Sequence, residues 1–282
     1  MRFAINLLLG SFMAMVLLQP FARAADEPTI PNFWDPQEKF IRPDLTDLPR
    51  LRFLTTTDFP PFSYIDGQKR LSGFHVDLAR AICAELQVMK VCQIQALPFD
   101  EIEGAINGGQ GEAALAGIRI SRISRQRLSF TRPYFRVPAR FVAPKTSNFS
   151  EPMVKSLAGK VVGVVAGTAH AAFAREKFSR MNIRLFATLD TALAAMTAGQ
   201  TQATFSDAIA LSFWLQDTKG SACCRFVGDP YLSGDHFGRG LAIAVAPGNV
   251  ELREGINFAL RSINDKGIFS ELYLRYFPIS LF

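Results

Sequence analysis

From Leu51 onward the chain alternates short apolar strands with amphipathic helical segments, and it does so in two successive blocks. Leu51–Thr55 reads as a strand that runs into the turn Asp58-Phe59-Pro60-Pro61. Asp77 is placed to cap a helix whose Leu78, Ile82 and Leu86 fall four apart on one face. Residues 91–95 read as the next strand, 99–107 as a helix and 113–117 as a buried strand. The second block starts near Leu157. It holds a strand at 161–165, Gly167-Thr168 leading into an alanine-rich helix, a helix capped by Asp190, and a strand ending at Asp207. Residues 240–245 form a further strand, and a late helix carries Leu252, Ile256, Leu260 and Ile263 on one stripe. Alternation of this kind builds parallel sheets with helices on both faces. Two such blocks, joined by extended segments near 140–144 and 237–242, predict two lobes with a cleft between them. Ligands in such folds sit where the carboxyl ends of the strands gather.

The segment before this pattern has a different character. Arg2 precedes a mostly apolar stretch over 3–18, Pro20 breaks it, and Ala22-Arg23-Ala24 has the small-x-small form of a cleavage site. Residues 1–24 are therefore expected to be a cleaved secretory signal, and no cysteine follows to accept a lipid. Its removal would leave 258 residues at net +4, from +6 for the whole chain. Residues 25–50 hold five prolines and no periodicity, which predicts an extended arm packed down through Phe33 and Trp34. Export permits disulfides. Cys83 and Cys92 lie at a helix-to-strand turn that a bridge could close, two buried free thiols being the alternative. Cys223 and Cys224 are adjacent, and their state stays open.

The composition, 49% hydrophobic and 20% charged, is that of a globular chain and excludes a disordered tail or a fibre. Seven arginines fall between Arg119 and Arg140, a basic face for an anionic group or a set of ion pairs. They lack the aromatic interleaving of a nucleic-acid surface, and no nucleic-acid partner is expected. His75, His170 and His236 stand in no nucleophile or metal spacing, and Gly-x-Ser-x-Gly, phosphate-loop and HExxH patterns are absent from the sequence. His75 reads as a surface or interlobe residue. His170, near a helix start, is the one histidine placed to serve as a general acid. Neither a metal nor a cofactor is expected.

Several ordered motifs resemble the periplasmic solute-binding proteins of family 3, the polar amino acid receptors of ABC importers. They are Asp58-Phe-Pro-Pro-Phe-Ser-Tyr, Gly73-Phe-His-Val-Asp-Leu-Ala-Arg-Ala-Ile, Phe99-Asp100, Gly111-Glu-Ala-Ala-Leu-Ala-Gly117 and Phe130-Thr-Arg-Pro-Tyr134. Leu157-Ala-Gly-Lys-Val-Val-Gly, Gly167-Thr168, Gly199-Gln-Thr-Gln-Ala-Thr-Phe-Ser-Asp207 and the segment from Gly267 to Phe277 follow in the same order. The resemblance implies an α/β fold of two lobes, the type II periplasmic binding protein or Venus-flytrap, with two crossover strands. Lobe 1 is expected over 51–139 and 240–282, and lobe 2 over 140–239. It implies a monomer in the periplasm that closes on a small polar ligand, most simply an amino acid or a related anion, and delivers it to an inner-membrane ABC permease. The same fold serves accessory proteins of oxidation systems and a cyclohexadienyl dehydratase, which remain the alternatives.

Carried over by position, the resemblance assigns ligand-facing aromatics to Phe59 and Phe99, and a close backbone approach to Gly117. It gives a carboxylate-binding helix start to Thr168, and the acid that pairs an α-ammonium to Asp207. The family's carboxylate-clasping arginine falls on Ser124 here, with Arg125 one place later. Arg119 stands where the family has a small hydroxyl residue. Either Arg119 or Arg125 could supply the clasp.

Overall fold

The computed structural model describes residues 30, 32, 34–35, 37–45, 47–277 and 279–282. The expected signal segment, residues 25–29 and Phe33 of the arm lie outside the described residues.

The first block contains β1 (Leu51–Thr55), the small antiparallel ribbon β2 (Asp58–Phe59), β3 (Ser63–Ile65) and β4 (Leu71–Ser72), and α1 (Phe74–Glu85). It continues through β5 (Cys92–Ala96), α2 (Phe99–Asn107), β6 (Ala113–Ala114) and β7 (Ser129–Phe130). Helix α1 starts before Asp77. Gly73 has φ 127°, and a Cβ there would meet the Phe62 carbonyl oxygen at 2.3 Å, so glycine alone lets the helix begin against the ribbon. Asp77 is left in the first turn, where it binds Arg80 at 2.9 Å, Arg275 at 2.8 Å and the Tyr276 hydroxyl at 2.7 Å instead of capping.

The second block runs through β8 (Ala139–Pro144), α3 (Met153–Ser156), β9 (Val161–Val165), α4 (Ala169–Lys177), β10 (Asn182–Phe186), α5 (Leu189–Thr197), β11 (Ala203–Asp207), α6 (Ala208–Gln216), α7 (Thr218–Cys223) and β12 (Cys224–Tyr231). Thr188, not Asp190, caps α5, through a reciprocal capping box with Thr191. The chain then returns through β13 (Ala244–Val245) to α8 (Val250–Asp265) and α9 (Ile268–Tyr276), which pack on α1.

Each block builds one five-stranded sheet, ordered β5-β1-β6-β13-β7 and β10-β9-β11-β8-β12. Neither is wholly parallel. In the first only β13 runs antiparallel to its neighbours, and in the second only β8 does. Both are the strands by which the chain arrives from the other lobe. A strand entering from the cleft side meets the carboxyl ends of the existing strands and so must run against them. Residues 140–144 are thus no free connection but most of a buried strand, paired on both sides. The crossing lies just before it, where Leu241 N–H donates to Phe135 O at 2.7 Å and Tyr134 N–H to Leu241 O at 2.9 Å.

Many of the chain's 25 phenylalanines fill two aromatic cores. Phe62, Phe74, Phe135 and Phe277 interlock in the first lobe, with Phe135 and Phe277 centroids 5.0 Å apart. Phe141, Phe178, Phe205 and Tyr231 do so in the second, with Phe141 and Phe205 4.7 Å apart. Edge-on and tilted ring contacts of this kind add to plain area burial. The arm docks Trp34 and Leu45 into the first core, and Leu45 lies over the bare backbone of Gly255 in α8.

Cys83 and Cys92 are bridged, tying α1 to β5, and Cys223 is bridged to Cys224. The second bridge shares a cluster with Trp214 of α6. A strap also spans the lobes: Leu281 is buried in the first core, while Ile279 packs on the second lobe. The buried Arg140 of β8 donates to Leu281 O at 3.1 Å and to Gly228 O at 2.8 Å.

Candidate functional site

The carboxyl end of β1 leads directly into β2, which carries Phe59, and the end of β6 leads to Gly117. Together with Phe99 at the start of α2, they line a cavity of about 370 Å³ with Thr56, Asp58 and Ala116. Phe99 is 54% exposed, which is unusual for so large a ring and suits a wall awaiting a partner. Gly117 has φ 69°, and a Cβ there would come 2.9 Å from a Phe59 ring carbon. The glycine therefore serves both the left-handed turn and the close seat of the Phe59 ring. Behind it, Phe59 stacks on Phe62 at 4.8 Å.

Phe59 also lines a second cavity, of about 310 Å³, whose far wall is α6 of the other lobe. Here Asp207 ends β11 and caps α6, accepting from Ala210 N–H at 2.9 Å. Burial pushes the Asp207 carboxyl above its ordinary value, and the Ala210 and Ile209 N–H groups pull it partly back. No cation offsets that burial among the described residues. Ile209, Ala210 and Phe213 of α6 continue the wall. The sequence reading missed Phe213 and Thr56. Two steps of three residues from the helix cap, through Ala210, would have shown the first, and the position just past β1 the second.

The other expected residues fall elsewhere. Thr168 caps α4: its hydroxyl accepts from Ala171 N–H at 3.2 Å and donates to Val165 O at 2.8 Å. This leaves the next N–H groups of the first turn for an anion, but Thr168 lies outside the cavities that Phe59 lines. Arg119 is exposed. Ser124, at the family's arginine position, is buried and locked inside its own loop, donating to Arg119 O at 2.8 Å and accepting from Ser121 N–H at 2.9 Å. Arg125 is turned to a different cavity beside the crossing segments.

His75 is neither a surface nor an interlobe group. It is 1% exposed, because the early start of α1 points it inward. There it packs against Phe59 and Phe62, and its Nε2 lies 2.7 Å from the Tyr134 hydroxyl. Burial pushes its pKa down to about 3, so the ring is neutral at pH 7. His170 stacks on Phe237 at 5.0 Å and is pushed down to about 4 by burial, so it also carries no acidic proton at neutral pH. Among the described residues no cluster of His, Cys, Asp and Glu could hold a metal, and no helix is long and apolar enough to cross a membrane.

Residues 51–279 match the family model of bacterial extracellular solute-binding proteins, family 3. The putative ABC transporter arginine-binding protein 2 of Escherichia coli (strain K12) is 33% identical over 227 residues, which is 80% of this chain and 90% of that protein. The arginine-binding periplasmic protein of Mannheimia haemolytica is 28% identical over 215 residues, 76% of this chain and 86% of that one. Among solved structures, the L-cystine solute receptor of Neisseria gonorrhoeae, in its unliganded open conformation, superposes with a TM-score of 0.70 at 18% identity. It covers 82% of this chain and 94% of its own, a likeness of fold alone. With two sheets joined by paired crossing strands, and a family match that spans both, this chain belongs to the bacterial extracellular solute-binding proteins, family 3.

Proposed function

We propose that this protein captures an amino acid with a cationic side chain, arginine first among them, and presents it to an inner-membrane ABC permease. The observation that carries this reading is the double role of Phe59. It is a wall of the cavity that holds Phe99 and Gly117, and of the one that holds Asp207 from the opposite lobe. A single ligand seated on Phe59 therefore reaches both lobes.

The chemistry follows from the parts. The Asp207 carboxylate pairs the α-ammonium, a charge too costly to bury alone. Phe59 and Phe99 take the stem and head of the side chain, and a guanidinium lying on a ring face gains cation–π attraction as water leaves. The α-carboxylate falls to the free N–H groups beside Thr168 and to Arg119, which closure brings in. Naming of the relatives as arginine-binding supports the same choice. The lobes close as rigid bodies about the crossing strands, and the ligand selects the closed state because only there does it touch both walls. Export by the 1–24 signal puts a monomeric receptor in the periplasm, and no chemical step is asked of it.

The test is calorimetric titration of residues 25–282, unfolded and refolded to strip carried-over ligand. The panel is the twenty amino acids, agmatine, citrulline, organic acids and sulfonates. Arginine is expected to bind with a micromolar or tighter dissociation constant, about −8 kcal/mol. Agmatine, which lacks the carboxylate, and citrulline, which lacks the charge, should each be weaker. Binding confined to neutral amino acids or to non-amino anions would overturn the cationic assignment.

A further inference from the structure

Beside the two crossing segments lies the largest cavity described, about 660 Å³. Five arginines line it, Arg125, Arg132, Arg136, Arg239 and Arg253, against the two carboxylates Glu38 and Glu254. Both carboxylates are already engaged: Arg132 Nε donates to Glu38 at 3.0 Å, and Arg253 pairs with Glu254 at 2.8 Å. A crevice of about 480 Å³ adjoins it and shares Ile120, Arg125 and Arg239. It adds Arg122 and Ser121, and no acid lines it. The side chains of Arg122, Arg125 and Arg239 have neither an ion pair nor a hydrogen bond among the described residues.

We propose that this crevice binds a small oxyanion of the phosphate or sulfate type, at a site separate from the amino acid cavity. Three unpaired guanidinium groups around one hollow repel each other, and the fold keeps them together. A multiply charged oxyanion relieves that repulsion, and its oxygens suit the paired N–H forks of arginine. The backbone that carries these groups is also fixed in place before any ligand arrives. Arg239 sits between Gly238 and Gly240, both at positive φ, and Gly240 lies so close to Phe135 that a Cβ would meet its carbonyl oxygen at 2.6 Å. The next residue, Leu241, is bonded across to Phe135. Arg122 and Arg125 ride on the loop that Ser121 and Ser124 tie together. The crevice shares no lining residue with the cavity of Phe99 and Gly117 or with that of Asp207. The larger cavity meets the latter only at Val137.

The proposal does not rest on the amino acid reading, and its test separates the two. The refolded protein is titrated with inorganic phosphate, sulfate and glycerol phosphate, at ionic strength held constant with chloride, with and without saturating arginine. At least one of these anions is expected to bind at one site, with an affinity that arginine leaves unchanged. The strongest of the three names the source of the oxyanion. The double variant Arg122→Ala/Arg239→Ala changes two exposed side chains, so its fold is not at risk. It should weaken anion binding at least tenfold while keeping arginine affinity. Three results would overturn the proposal: no binding beyond that of chloride, binding unaltered in the double variant, or competition between anion and amino acid. The last would make the arginines the clasp of the amino acid's own carboxylate.

Discussion

Asp207 both caps α6 and faces the cleft as a carboxylate whose burial is offset in part by two backbone N–H groups and by no cation among the described residues. Its raised pKa makes a pH prediction with a definite sign. An acid raised in the folded state costs stability once ionised; the cost is absent below its unfolded pKa and complete above the raised one. An ammonium ligand removes that cost and draws the pKa down, so binding releases a proton. Affinity for arginine should therefore fall as acid carries the protein down through the raised Asp207 value, and the proton release should be seen in that same range. Asp207→Asn keeps a good helix cap. It should weaken binding by about 2 kcal/mol or more and flatten the pH profile, as titration calorimetry at several pH values would show. A profile unchanged in the variant would place the ammonium elsewhere. The placement of Phe59, Phe99, Gly117 and Asp207 around the cleft was legible because they follow in an order the family shares, all but Gly117 at the end of a strand or the start of a helix. His75 was not, because its burial is decided by Gly73 meeting Phe62, a contact between chain segments that periodicity cannot express. The fate of Ser124 was equally hidden, since its partners are backbone groups and the Ser121 hydroxyl of its own loop.

At the level of elements, strands and helices came through where apolar spacing was regular, as in α2, β9 and α8. The departures gather at short strands and helix starts: β6 and β13 hold two residues each where 113–117 and 240–245 predict longer strands, and the nearest acid caps neither α1 nor α5. Threonine in a capping box and glycine in a tight approach did that work at α5 and α1. The disulfides differ in what they constrain. The Cys83–Cys92 bridge spans a separation of 9 and fastens the end of α1 to β5, and closing such a loop is worth about 2–3 kcal/mol. The Cys223–Cys224 bridge closes no loop of comparable size and removes little freedom from the unfolded chain. Thermal melts should thus show a clear loss of stability in Cys83→Ala/Cys92→Ala and a smaller one in Cys223→Ala/Cys224→Ala. The reverse order would mean that the vicinal pair secures the second lobe by some other means.

For the whole molecule, the sheet directions encode the path of the chain. One reversed strand per lobe marks each arrival, and the Phe135–Leu241 bonds hold the two passages side by side. The sequence showed two α/β blocks, but it could not show that the passages pair or that the 279–282 strap lies across both lobes, because neither has a periodic signature. Closure on such a hinge should compact the particle. Solution scattering is expected to give a smaller radius of gyration with arginine than without, and Asp207→Asn should need a higher arginine concentration to reach it. A ligand-bound protein as extended as the free one would rule out capture by closure. The chain has only two tryptophans, Trp34 in the arm that plugs the first lobe and Trp214 beside the vicinal disulfide in the second. Each lobe thus carries its own intrinsic fluorophore. A disulfide quenches an excited indole near it, so the emission of Trp214 doubles as an optical gauge of whether Cys223 and Cys224 are joined. With Trp34→Phe, that gauge reads the second lobe alone.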